Sequence, residues 1–109
     1  MNQRLHCYRM LVDVAKAMPD LVSLIPRGEG NLIDHLKRAL TSSIFNLSEG
    51  NGRSSIKERN RYFDISLGSI EEAKAAIDVA LAYRYLPHTY QNLIDTLSWA
   101  YNMIRRLKK

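Results

Sequence analysis

The chain reads as an all-α protein, an antiparallel up-down four-helix bundle in which residues 1–109 form one domain. Three observations predict this. Apolar residues recur at helical spacing in four stretches, and Gly and Pro gather in the short segments between them. Only 5 Gly and 3 Pro occur in 109 residues, too few for a turn-rich β-protein or a disordered tail. With 46% of residues hydrophobic and 25% charged, a chain of this length buries one modest core and not two.

Leu5, Tyr8, Val12 and Ala15 are spaced by three and four, which sets them on one side of a helix over residues 2–18. Pro19 bends or ends that helix. Residues 20–25 add a further turn or two before Pro26 and Gly28-Glu29-Gly30, where regular structure is expected to stop. A second helix starts after Asn31, an N-cap residue type. Its Ile33, Leu36, Leu40, Ile44 and Leu47 share one arc, while Asp34, Lys37, Arg38 and Thr41 lie off it. Gly50-Asn51-Gly52 ends it after Glu49 with residues that tolerate left-handed backbone angles.

Ser55-Ile56-Lys57-Glu58 has the form of a capping box and opens a third helix. One apolar stripe on it comprises Ile56, Phe63, Leu67, Ile70, Ile77 and Leu81. A second, alanine-rich stripe comprises Tyr62, Ile65, Ala73, Ala76, Ala80 and Tyr83. The polar arc left over is narrow, so this helix has more apolar surface than one small core requires. Two explanations compete: a central helix touching two neighbours of its own chain, or a subunit interface along the second stripe. Pro87-His88-Thr89 closes the third helix and opens a fourth, in which Tyr90, Leu93, Ile94, Leu97, Tyr101, Ile104 and Leu107 repeat with helical spacing and Trp99 lies off the stripe.

Nothing in the chain has the spacing of a catalytic centre. His6, His35 and His88 fall on different elements, and neither H-E-x-x-H nor Glu-x-x-His occurs, so no metal site, cofactor or enzymatic activity is expected. Ser42-Ser43 and Ser54-Ser55 lack a spaced base, and the second pair already serves as a helix cap. Residues 50–54 look like a phosphate-cradling loop only superficially, because they follow a helix and lack the Lys-Ser/Thr ending. Cys7 is the single cysteine, which rules out an intrachain disulfide and fits an inert thiol in a reducing cytosol. No stretch approaches the ~20 apolar residues of a membrane span, and the first 25 residues contain no continuous apolar run, so a cytoplasmic protein is expected.

Charge is the feature that points outward. Sixteen Lys and Arg against eleven Asp and Glu give +5, which favours an anionic partner such as nucleic acid, although a basic balance also serves solubility alone. The basic residues gather in two groups. Arg53, Lys57, Arg59 and Arg61 surround the second interhelical segment, opposed by Glu58, while Arg105, Arg106, Lys108 and Lys109 end the chain with no acid nearby. Such groups can neutralise phosphates; at a helix C-terminus they also complement the helix dipole. The tyrosines fall on apolar stripes instead of between the basic residues, so Tyr8, Tyr62 and Tyr101 read as core.

Two stretches, Asn46-Leu47-Ser48-Glu49-Gly50-Asn51-Gly52-Arg53 and Tyr62-Phe63-Asp64-Ile65-Ser66-Leu67-Gly68-Ser69-Ile70-Glu71-Glu72, resemble the four-helix bundle family named after proteins encoded in intervening sequences of bacterial 23S ribosomal RNA genes. The resemblance extends to Leu36-Lys37-Arg38-Ala39 and to the Tyr83 to Pro87 turn. The family more often has Ile and Ala where Leu47 and Ser48 stand, and Glu-Leu where Glu72-Ala73 stands. The resemblance implies a homopentamer. Relatives include the accessory variability protein of diversity-generating retroelements, a basic pentamer that binds nucleic acid and a reverse transcriptase. It therefore implies a non-enzymatic, oligomeric nucleic-acid-binding protein, or else an accessory scaffold that engages a reverse transcriptase or a ribosome-associated factor without touching nucleic acid. Under it, the two basic groups are the candidate nucleic-acid contacts, and the stripe of Tyr62, Ile65, Ala73, Ala76, Ala80 and Tyr83 is the candidate subunit interface.

Overall fold

Asn2 caps the first helix, its side chain accepting from the Arg4 amide at 2.8 Å, and α1 runs over Gln3–Lys16. The computed structural model describes residues 2–109. Pro19 sits in the first turn of a separate short helix, α2 (Met18–Leu24), so the chain breaks at Ala17 and resumes helical pairing at once. The expected loop at residues 26–30 is instead a turn of 3₁₀ helix (Arg27–Glu29) leading directly into α3 (Gly30–Asn51). Both glycines there adopt ordinary angles, and Pro26, with φ −57°, is already set for a helical turn. Asn31 accordingly lies inside α3 and not at its cap.

The other end of α3 also departs from expectation. The helix continues to Asn51, and no glycine has a positive φ, so Gly50 and Gly52 are not left-handed stops. Gly50 serves close approach: a Cβ there would lie 2.7 Å from the Phe63 ring and 3.3 Å from the Arg59 carbonyl oxygen. Ser55 caps α4 (Ile56–Ala82) as its motif requires, accepting from the Glu58 amide at 3.3 Å. α4 stops five residues before Pro87. Its end is a Schellman closure, with the Tyr85 amide bonded to the Ala80 carbonyl and the Arg84 amide to that of Leu81, both at 3.0 Å. The left-handed residue of that closure is Arg84 (φ 63°) and not a glycine. A 3₁₀ turn at His88–Tyr90 then enters α5 (Gln91–Leu107).

α1 packs on α3 and α5, and α4 packs on the same two, which closes a ring of four long helices with α2 as a short appendage. Among the described residues there is no strand, and the fold is the all-α four-helix bundle that the sequence predicts. The shared core includes Leu11, Leu36, Leu47, Phe63, Ile70, Ile77, Leu97 and Ile104, each fully buried. α3 and α4 run antiparallel along a seam of small residues. Ser66 Oγ donates to the Ser43 carbonyl at 2.7 Å, and Ser42 Oγ lies 2.9 Å from Ser69 Oγ. Side chains as short as Ser, Ala and Gly bring two helix backbones near enough for such bonds, and each of the Ser42, Ser43, Ser66 and Ser69 hydroxyls has a partner. Ser42 and Ser43 are therefore structural.

Candidate nucleic-acid interface

Alternation of helix direction decides where the two basic groups meet. α4 begins and α5 ends at the same pole of a molecule 43 Å long, alongside the first turn of α1 and the last turn of α3. Asn60 fixes this registration. Its Nδ2 donates to the Lys109 carbonyl at 3.0 Å, and its Oδ1 accepts from the Lys109 amide at 3.3 Å, while Lys108 Nζ pairs with Asp64. Residues 49 apart in sequence are thereby joined, and the two groups read separately from the sequence form one surface.

The segregation of charge is nearly complete. Arg4, Arg53, Lys57, Arg59, Arg61, Arg105, Arg106, Lys108 and Lys109 lie at this pole, and the acids among them are Glu49, Glu58 and Asp64. The rest of the chain carries seven Lys and Arg against eight Asp and Glu, so it has no positive excess at all. The whole net charge of +5 thus sits at one end. Helix-dipole complementarity accounts for the α5 group and not for the α4 group. Lys57 and Arg59 stand at the positive, N-terminal end of a 27-residue helix, where cations are disfavoured by several tenths of a kcal/mol each.

Of these nine, the eight that the sequence singles out are held differently. Arg53 donates to Glu49 Oε2 at 3.0 Å and to the Tyr62 hydroxyl at 3.4 Å. The Tyr62 phenol and, next, the Glu49 carboxylate raise the Arg53 pKa above its usual value. Arg59 spans the loop, donating to the Arg53 carbonyl at 3.2 Å and so fixing the turn that presents Arg53. Lys108 is held by Asp64. Lys57, Arg61, Arg105, Arg106 and Lys109 have no ion-pair partner among the described residues, and all five are exposed.

Tyr62 requires a correction. It is not core but half-buried at the basic pole, with the guanidinium carbons of Arg53 and Arg61 lying over its ring at 5.1 and 5.3 Å from the centroid. Tyr8 and Tyr101 do pack against the core. The pattern in the sequence that marks Tyr62 is its position directly after Arg61 and nine residues after Arg53, on the same face as the loop.

The alanine-rich stripe is corrected too. Ala73, Ala76 and Ala80 are 0, 5 and 0% exposed within the single chain, so they are core residues and are not available to a second subunit. α4 needs its second apolar stripe because it faces two neighbours in the ring, α3 and α5. Ile65 and Tyr83, from the same stripe, are exposed. Among the described residues the most exposed large apolar side chains are Phe45 and Trp99, at 68 and 67%. Sequence periodicity placed Trp99 off the core and left Phe45 unassigned, because one aromatic outside the apolar arc has no periodic signature.

Of the remaining candidate groups, Cys7 is fully buried, and burial pushes its thiol up to about 11, which leaves it protonated and inert. Among the described residues no three His, Cys, Asp or Glu side chains gather closely enough to hold a metal ion. Among the same residues no helix is long and apolar enough to cross a membrane.

Fold and charge together define a class: a small antiparallel four-helix bundle whose entire positive excess is displayed at one pole. Residues 3–106 match the family described as 23S rRNA-intervening sequence protein, and the chain belongs to that family. A comparison with curated proteins gives no match.

Proposed function

We propose that this protein is a non-enzymatic, oligomeric nucleic-acid-binding protein that holds RNA or DNA by its phosphates against the basic pole of the bundle. One observation carries the reading: nine basic residues from three helices and a loop converge on one end, while the remainder of the chain is close to neutral. A field concentrated in this way raises the local concentration of a polyanion and orients its approach. Five exposed cations with no ion-pair partner among the described residues can displace condensed counterions from a phosphate backbone. Stability does not explain the α4 group, which stands at the unfavourable end of its helix dipole.

Assembly strengthens the reading. Phe45, Ile65, Tyr83 and Trp99 offer apolar area for a second copy to cover. A ring of five would carry about +25 and hold one polyanion at several poles at once. The test is charge reversal. With Arg105, Arg106, Lys108 and Lys109 all changed to Glu, affinity for RNA and DNA oligonucleotides is expected to fall by at least about tenfold, and by the same factor for unrelated sequences. Equal affinity of this variant and the wild-type protein would refute the proposal, provided circular dichroism shows the helices intact.

A further inference from the structure

The geometry points to Tyr62 as a positioning residue: its ring holds the Arg53 and Arg61 guanidiniums as a two-pronged grip for two phosphodiesters within about three nucleotides of one strand, without reading bases. This inference rests on the functional reading above and specifies how the pole engages its ligand. Both guanidiniums lie against the one ring, at 5.1 and 5.3 Å, so they are no more than about 10 Å apart, the rise of roughly three nucleotides of a strand at 3.4 Å each. Free arginine side chains lose much rotamer freedom on gripping a ligand; two already held against an aromatic face have lost much of it beforehand.

The supports around the ring serve the same end. The Tyr62 hydroxyl accepts from Arg53, and Arg59 fixes the loop through the Arg53 carbonyl, so both the head and the backbone of Arg53 are held. Tyr62 is outside the apolar core, which separates this role from folding. A ring already engaged by two guanidiniums is a poor platform for a base, and recognition should fall on the backbone. Glu49 competes for Arg53 at 3.0 Å, but an exposed pair of this kind is weak enough for a phosphate to displace.

The probes are a fluorescein-labelled 20-nucleotide oligo-dT strand and a mixed-sequence strand of equal length, titrated against the intact protein at several salt concentrations. Tyr62→Leu is expected to lose about fivefold or more in affinity for both, and to lower the magnitude of the salt slope by about one unit, as the loss of one or two phosphate contacts requires. Tyr62→Phe keeps the ring and is expected to stay within about twofold of wild type. A Tyr62→Leu variant with unchanged affinity and slope would overturn the positioning role while leaving the basic-pole reading standing. Lower affinity with an unchanged slope would also overturn it, since that is the signature of lost base stacking. A wild-type protein that binds neither strand would instead overturn the functional reading. As a ligand-free check, the side-chain protons of Arg53 and Arg61 should show upfield ring-current shifts in wild type and Tyr62→Phe that vanish in Tyr62→Leu; their absence from the wild-type spectrum would contradict the grip.

Discussion

Gly50 shows how one residue can carry both a packing constraint and a misleading sequence signal. Its place in Gly50-Asn51-Gly52 reads as a helix stop, yet it is helical, and it is small because the buried Phe63 ring of α4 passes over it. Composition marks both uses alike, and only the facing helix tells them apart. Gly50→Ala puts a Cβ 2.7 Å from a ring that cannot retreat, so a loss of about 1–3 kcal/mol is expected in urea denaturation despite the better helix propensity of Ala. The reverse case is Arg84, a long side chain in the left-handed position that usually takes Gly. No local pattern announced it. Arg84→Gly removes a backbone penalty of about 1–2 kcal/mol against an entropic cost of about 0.5–1 kcal/mol, so calorimetry should find a melting temperature a few degrees higher.

At the scale of the helix, periodicity told the truth about α4 and left its meaning open. The second stripe is real, but its two ends do different work from its middle: Ala73, Ala76 and Ala80 pack inside the chain, whereas Ile65 and Tyr83 face outward. Amphipathic spacing reports that a face is apolar and says nothing about whether the chain itself or a second copy covers it. The two outcomes are separable. Ala73→Glu buries an unpaired charge and is expected to cost more than about 3 kcal/mol, unfolding the chain as judged by circular dichroism. Ile65→Glu leaves the helices intact; if the exposed apolar side chains join subunits, light scattering finds a smaller particle. A folded, fully assembled Ala73→Glu protein would contradict the placement of that alanine in the core.

At the scale of the molecule, the bundle class was legible because four long periodic stretches and short connections leave few ways to bury an apolar face. The candidate site was legible only in pieces. Each basic group stood out along the chain, but their union depends on α4 and α5 being antiparallel and on Asn60 tying the first turns of α4 to Lys109. The setting of Tyr62 is hidden for a related reason: Arg61 adjoins it in sequence, but Arg53 reaches its ring from the far side of a loop. Antiparallel topology turns two modest clusters into a pole that holds all of the excess charge, and the proposed function stands on that pole.

The direct measurement is the salt dependence of binding to a 20-base-pair duplex by the intact protein, from about 50 to 200 mM monovalent salt. Five exposed, unpaired cations at the pole predict a log–log slope of about −4 or steeper, with the near-neutral remainder of the surface adding little. A slope near zero, or no detectable binding at the lowest salt, would contradict the account.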